Sequence, residues 1–247
     1  MHLYLVRHAM ASHNVPGDPG ANAACLPGTQ DYVNLHGDCP LTAQGILQAE
    51  LLSERLSSLS FDAIISSPLQ RAVATAHKIA LRQKNASIEL LPDLAECSTH
   101  DYAGMPHELL SAMFPGVFPC GEMQPTGFPA LFPEETPDDM EKRALRIREY
   151  LLGRFSANQQ VLLVSHGAFL GEYLLYALLG VPAMSLRFHP GFENASLTKI
   201  TLEEGTPTLM MLLNDVSHLG RYRSRDPFVL TEENVDTYIE PVIFTGP

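Results

Sequence analysis

Short apolar runs alternate along the chain with segments whose apolar residues recur every three or four positions. Three runs predict buried strands: LYLV at 3–6, AII at 63–65 and VLLV at 161–164. Helical spacing predicts helices after Thr42, over about 68–83, after Thr136 and over 168–179. This alternation predicts an α/β three-layer sandwich, with a mostly parallel central sheet and helices on both of its faces.

Capping residues support three of these helix starts. Thr42 and Thr136 are suited to N-cap positions, and Asp139 follows Thr136 at capping-box spacing. Ser67 followed by Pro68 predicts an N-cap with proline at the first helical position. Near the C-terminus, ASLTKITL and TLMMLLN predict two strands joined by a turn.

Two segments rich in proline interrupt this pattern. We expect a single domain over 1–247 with a long loop at 14–40 and a lid-like insertion at about 97–135. We expect the apolar side chains of the insertion to line the entrance of a binding site. The alternative is that they pack the insertion onto the domain or onto a second copy in a homodimer. They are Tyr102, Met105, Leu109, Leu110, Met113, Phe114, Phe118, Phe128, Leu131 and Phe132.

Composition narrows the class of protein. Hydrophobic residues make up 45% and charged residues 18%, as in globular proteins. The 16 Lys and Arg against 28 Asp and Glu give a net charge of −12, which argues against a nucleic-acid surface. No run reaches the roughly 18 apolar residues of a membrane helix. Four irregularly spaced cysteines fit reduced thiols, and we expect a cytoplasmic protein that contacts no membrane.

Basic side chains follow three of the predicted strands. Arg7 and His8 follow the first, Arg71 lies in the helical turn after the second, and His166 follows VLLV. Parallel strands end at one edge of a sheet, where ligands of such folds bind. A single histidine there is usually structural, but two arginines and two histidines together need an anion between them. A phosphoryl group suits forked guanidinium groups.

Five ordered motifs resemble the histidine phosphatase superfamily, also called phosphoglycerate mutase-like. They are LVRHAMASHN, PLTAQGILQAELL, SSPLQRAVATA, DLAE and VSHGAFLG, and the resemblance covers roughly residues 1–96 and 134–218. It implies that His8 is the nucleophile that forms a phosphohistidine, and that Glu96 is the proton donor. It also implies a set of residues around the phosphate, which we call the phosphate pocket: Arg7, Asn14, Arg71 and His166. Of these, His166 is also counted as catalytic. Asp93 is the competing carboxylate, with a turn role as its alternative.

Hydrolysis is the favoured reaction of such a site, and it requires no metal ion or cofactor. The chain carries no Lys or Arg between Arg7 and Arg55 or between Lys84 and Lys142. A mutase substrate, which bears further anionic groups, needs such cations. The sequence therefore predicts a phosphatase acting on a small phosphorylated molecule. Mutase-type phosphoryl transfer and a catalytically silent phosphate-binding regulatory module are the alternatives.

Two alanines depart from the pattern of the family. Ala9 stands where the family usually has glycine, and Ala11 stands where many members have a hydroxyl residue. Ala9 is expected to crowd the turn at most. Ala11 is expected to remove a hydrogen bond to the substrate.

Overall fold

The fold is built on one seven-stranded sheet. The computed structural model describes residues 1–14, 38–84, 87–97, 107–119, 135–185 and 190–224. Most of the expected loop at 14–40 and parts of the expected insertion, at 98–106 and 120–134, lie outside the described residues. The strands are β1 (His2–Arg7), β2 (Ala63–Ser66), β3 (Ile88–Leu90), β4 (Val117–Pro119), β5 (Gln160–Ser165), β6 (Leu197–Thr201) and β7 (Leu209–Asp215).

The strand order is β4-β3-β2-β5-β1-β6-β7. The five strands from β4 to β1 run parallel, whereas β6 is antiparallel to both β1 and β7. The mostly parallel sheet is confirmed, as are the two C-terminal strands and the turn between them. The parallel arrangement brings the carboxyl ends of β1, β2 and β5 to one edge.

Helices cover both faces of the sheet. They are α1 (Ala43–Arg55), α2 (Gln70–Ala80), α3 (His107–Met113), α4 (Pro137–Arg154) and α5 (Leu175–Leu179), with a π-helical segment (Phe169–Leu174) directly before α5. Short 3-10 turns lie at Ser12–Asn14, Pro92–Leu94 and Gly220–Tyr222.

Side chains that alternate along β1 enter two separate cores. Tyr4 and Val6 pack in the core that contains the apolar residues of α1 and α2. Leu3 and Leu5 pack in the other core, with residues of α4, the π-helical segment and α5. Successive side chains of a strand point to opposite faces of the sheet, so burial of both sets requires helices on both sides. The three-layer sandwich is thereby confirmed.

Local capping predicts two helix starts correctly and one wrongly. Thr42 Oγ1 accepts from the Gly45 amide at 3.0 Å, and Thr136 forms a capping box with Asp139. The predicted cap at Ser67 is wrong, because α2 begins at Gln70. There the Gln70 amide donates to the Asp38 carboxylate at 2.6 Å. A carboxylate from a distant part of the chain has thus replaced the local hydroxyl as the cap.

The middle of the expected insertion belongs to the sheet. Residues 107–119 form α3 and β4, and β4 extends the sheet as its edge strand beside β3. Leu110 is fully buried and Phe114 packs against the same core, so these two side chains attach the segment to the domain. Leu109, Met113 and Phe118 are exposed. Of the apolar residues singled out above, Tyr102, Met105, Phe128, Leu131 and Phe132 lie outside the described residues.

Within the described ranges, no helix is both long enough and apolar enough to cross a bilayer.

Candidate active site

The ends of β1, β5 and β2 bring the predicted basic residues together. Arg7 pairs in register with Ser165, so His8 and His166 follow neighbouring strand ends. The centroids of their rings are 5.0 Å apart. Arg71 reaches them from the first turn of α2, and its Nε lies 3.3 Å from His8 Nε2. Four side chains from three strand ends therefore share one small volume.

Hydrogen bonds fix the tautomer of His8. Its backbone amide donates to the Ser165 carbonyl at 2.9 Å, and the side chain is 1% exposed. Nδ1 lies 2.7 Å from the carbonyl oxygen of Ala9. Because a carbonyl only accepts, Nδ1 carries the proton of the neutral ring and Nε2 keeps its lone pair. The Nε–H of Arg71 donates to that lone pair.

Burial and positive charge keep both rings neutral. Burial, followed by the Arg71 guanidinium and then by the nearby His166 ring and Arg7, holds the pKa of His8 well below its ordinary value. Burial, followed chiefly by Arg71, lowers the pKa of His166 in the same way. A second ring proton would have to enter a buried site that already holds two guanidinium groups. At neutral pH the site therefore contains two neutral imidazoles and two fixed cations.

A glycine makes room for the Arg7 side chain. Arg7 Nη1 donates to the carbonyl oxygen of Phe192. A Cβ added at Gly167 would lie 3.2 Å from both Cζ and Nε of Arg7. Since that spacing is tighter than ordinary contact, the glycine after His166 allows the guanidinium to lie directly against the backbone.

The second guanidinium and the second histidine also have defined neighbours. Arg71 Nη1 lies 3.9 Å from the carboxylate of Asp38, which is itself 1% exposed. His166 Nε2 lies 2.7 Å from Ser67 Oγ, and the same hydroxyl accepts from the Leu69 amide at 3.3 Å. Ser67, wrongly predicted as a helix cap, therefore orients the ring of His166.

The Glu96 carboxylate contacts the first backbone amides of the helical segment that follows His166. Its Oε1 accepts from the amides of Phe169 at 2.9 Å and of Cys97 at 3.0 Å, and Oε2 accepts from Ala168 at 3.4 Å. These bonds connect the DLAE segment to the SHG segment. The carboxylate is partly exposed, as a proton donor to a bound substrate must be.

Asp93, the competing carboxylate, is engaged elsewhere. Both of its carboxylate oxygens accept from Arg146, each at 3.1 Å. Its backbone carbonyl accepts from Arg143 Nη1, which also donates to the carbonyl of Ala95. These contacts favour a turn role for Asp93 and show how the turn before Glu96 is held.

Ala9 and Ala11 occupy buried positions. Ala9 is fully buried among the apolar residues of the core below α1 and α2, and its amide donates to Thr75 Oγ1 at 3.0 Å. Ala11 is also fully buried, and its amide donates to Asn14 Oδ1 at 3.1 Å. The extra methyl of Ala9 therefore packs into the core.

Two further residues at the site were not predicted from the sequence. Asn194 is fully buried and donates to both the His8 carbonyl and Asn14 Oδ1. The ring of His13 lies 5.7 Å from that of His8, and partial burial together with Arg71 and Arg7 lowers its pKa. Asn194 could have been suspected only as a polar residue just before an apolar strand. His13 lies inside the first motif, but the resemblance assigned it no role.

Among the described residues, no group of three or more His, Cys, Asp or Glu side chains is arranged to hold a metal ion.

Comparison with known proteins identifies the family to which this geometry belongs. The model of the histidine phosphatase superfamily (branch 1) matches residues 3–215. The chain belongs to the histidine phosphatase superfamily. This histidine phosphatase is 31% identical over 222 residues to the adenosylcobalamin/alpha-ribazole phosphatase of Salmonella typhi, which covers 86% of this chain and 96% of the relative.

Other relatives differ in their named reaction. A protein of Salmonella choleraesuis named as a probable phosphoglycerate mutase is 28% identical over 237 residues, covering 89% of this chain and 95% of its own. The crystal structure of an Entamoeba histolytica phosphoserine phosphatase mutant has a TM-score of 0.55 and 23% identity, covering 88% of this chain and 98% of its own, which shows a shared fold. Family membership and phosphatase relatives identify this histidine phosphatase as a phosphoric monoester hydrolase.

Proposed function

We propose that this histidine phosphatase hydrolyses a small phosphate monoester with His8 as its nucleophile and Glu96 as its proton donor. The observation that carries the proposal is the state of His8. Its ring is buried and neutral, its Nδ1 proton is held by the Ala9 carbonyl, and its Nε2 lone pair lies beside the Arg71 guanidinium. A neutral imidazole whose lone pair faces the phosphorus of a bound phosphoryl group is a competent nucleophile.

In the first step, the Arg71 Nε–H transfers its hydrogen bond from Nε2 to a phosphoryl oxygen. The released Nε2 lone pair forms a bond to phosphorus as the bond from phosphorus to the leaving oxygen breaks. The leaving oxygen takes the proton of the Glu96 carboxylic acid and departs as an alcohol. Arg7 and Arg71 offset the charge that spreads over the equatorial oxygens, which is the main contribution expected of a protein to phosphoryl transfer. Asn14 and His166 complete the phosphate pocket.

In the second step, water replaces the histidine. The Glu96 carboxylate takes one proton of the water as its oxygen bonds to phosphorus. The bond between Nε2 and phosphorus breaks, and inorganic phosphate leaves with His8 neutral again. Protons and electron pairs balance over the cycle.

Mutase chemistry is the second candidate, because one of the relatives is named for it. That reaction passes the phosphoryl group to a second hydroxyl of an acidic substrate. The absence of Lys and Arg from 8–54 and from 85–141 of the sequence favours water as the acceptor. A substrate without a second anionic group fits such a chain, and the Salmonella typhi relative is named as a phosphatase.

Trapping of the phosphoryl group tests the nucleophile. Protein incubated with a 32P-labelled aryl phosphate and quenched in alkali is expected to carry label on His8, and His8→Ala is expected to carry none. His2→Ala is the matched control, because His2 lies at the other end of β1, about 20 Å away at 3.3 Å per residue. Label that persists in His8→Ala would refute the assignment. Wild-type protein that neither becomes labelled nor releases phosphate would instead favour the silent module.

The dependence on the leaving group tests Glu96. Glu96→Gln keeps the size of the side chain but cannot donate the carboxylic proton. We expect its kcat/KM on an alkyl phosphate to fall by about 10²-fold or more, and to fall much less on p-nitrophenyl phosphate, whose leaving oxygen needs little protonation. Equal losses on both substrates would show that Glu96 does not protonate the leaving group. Asp93→Asn is the matched control and should leave both values close to wild type.

A further inference from the structure

Asn194 lies fully buried between the backbone of His8 and the side chain of Asn14. Its Nδ2 lies 3.1 Å from the carbonyl oxygen of His8 and 3.1 Å from Asn14 Oδ1. The next residue contributes as well, since the Ala195 amide donates to the carbonyls of Arg7 at 3.1 Å and His8 at 3.2 Å. The segment before β6 therefore holds the backbone of the nucleophile from behind.

Chemistry determines which end of each amide faces which partner. The partner of Asn194 at His8 is a carbonyl, which can only accept, so the Asn194 NH2 group must face it. Asn14 Oδ1 receives the backbone N–H of Ala11, a group that can only donate. The amide of Asn14 therefore presents its oxygen to Ala11 and Asn194. Its NH2 group is the end that this network does not use.

The orientation of Asn194 is fixed in turn by the C-terminal part of the described chain. Its Oδ1 accepts from Ser224 Oγ at 2.9 Å. The Ser224 hydroxyl accepts from Gln48 Nε2 at 3.1 Å, and Gln48 Oε1 accepts from the Met10 amide at 2.8 Å. Buried amides in such a network have one orientation, because a flip would leave an acceptor facing an acceptor, as at Asn194, or a donor facing a donor, as at Gln48.

We propose that Asn194 is a positioning residue for phosphate binding: it holds the Asn14 oxygen so that the Asn14 NH2 group donates to the substrate phosphoryl group. The proposal rests on the proposed function, in which Asn14 belongs to the phosphate pocket. Asn194 itself touches no substrate. Without it, the Asn14 oxygen keeps only the Ala11 amide as a donor, and its orientation is less firmly held.

A double-mutant cycle on Asn14 and Asn194 tests this coupling. The measurements are the inhibition constant of orthovanadate, as a phosphate probe, and KM and kcat for p-nitrophenyl phosphate. Loss of a hydrogen bond to an anion predicts about tenfold to hundredfold weaker orthovanadate binding in Asn14→Ala. Asn194→Ala is expected to weaken it nearly as much, and the double variant is expected to be no weaker than Asn14→Ala alone.

Two further variants separate positioning from loss of structure. Asn214→Gly removes another asparagine of this region, whose Oδ1 accepts from the Glu193 amide, and glycine suits its positive φ of 49°. It is expected to lower the melting temperature without changing orthovanadate binding. Ser224→Ala removes only one restraint on Asn194, so it should remain folded and weaken orthovanadate severalfold, again only when Asn14 is present.

The outcomes distinguish a failure of the proposed function from a failure of the role assigned to Asn194. Wild-type protein that neither hydrolyses p-nitrophenyl phosphate nor binds orthovanadate would overturn the proposed function, and this inference with it. Active wild-type protein with orthovanadate binding within twofold in Asn194→Ala and Ser224→Ala would overturn only the inference. Losses that multiply in the double variant would also overturn it, because independent effects do not pass through Asn14.

Discussion

Two buried neutral histidines predict a specific pH dependence of stability. His8 and His166 both have pKa values well below the ordinary value, mainly through burial and then through Arg71. The unfolded chain protonates each of them near pH 6.5, whereas the folded protein does not. Protons thus bind preferentially to the unfolded state below about pH 6.5. Stability contributed by the neutral rings is present above that pH and is lost as pH falls.

The magnitude follows from proton linkage. Each residue protonated only in the unfolded state lowers the free energy of unfolding by roughly 1–2 kcal/mol between pH 7.5 and pH 5.5. Together His8 and His166 account for about 3 kcal/mol, a large share of the roughly 5–15 kcal/mol that stabilises a typical domain.

Urea denaturation of a double variant isolates this contribution. In His8→Asn the amide NH2 replaces Nδ1–H toward Ala9, and in His166→Gln the amide replaces Nε2 toward Ser67. Wild type is expected to lose about 3 kcal/mol more than the double variant between pH 7.5 and pH 5.5. The comparison uses the change with pH, so a constant loss of stability in the variant cancels. Equal pH dependence in both proteins would refute the conclusion that these rings are neutral in the folded state.

Three other substitutions test how the site is supported. Arg143→Met leaves the Glu135 carboxylate buried without its bidentate partner, so urea denaturation should show a free energy of unfolding lower by about 3–5 kcal/mol. Adding Glu135→Leu should recover much of that loss, and a loss below about 1 kcal/mol in Arg143→Met would contradict the reasoning. Gly167→Ala should displace the Arg7 guanidinium and raise KM severalfold with little change in melting temperature, whereas an unchanged KM would show that the guanidinium adapts. Asp38→Ala removes the cap of α2 and should lower the free energy of unfolding by about 1 kcal/mol. Its kcat/KM should also fall, because the Asp38 carboxylate lies beside Arg71; an unchanged kcat/KM would show that Asp38 does not position Arg71.

Local patterns predicted the scaffold because local physics forms it. LYLV, AII and VLLV are strands buried on both faces, and such strands have continuous apolar runs. Thr42 and Thr136 cap helices with their own side chains, three residues from their partners. The cap at Ser67 was wrong because the carboxylate of Asp38 arrives from a distant segment, which no window around residue 67 contains.

The region at 97–135 shows the same limit. Its prolines suggested an insertion outside the scaffold, yet 107–119 forms a helix and an edge strand of the central sheet. An edge strand of three residues has too few positions for an alternation to be recognised. Leu110 and Phe114 acquire their role only from the core against which they pack.

The sequence by itself determined the strands β1, β2, β5, β6 and β7, the basic residues at strand ends and the family motifs, because these depend on neighbours within a few positions. Only the tertiary structure decided that His8 is a neutral Nδ1–H tautomer, that Gly167 makes room for Arg7, and that Asn194 faces Asn14. Those properties depend on burial and on contacts between residues up to 180 positions apart. The chemical groups are local to the chain, whereas their protonation and orientation are set by the packed environment around them.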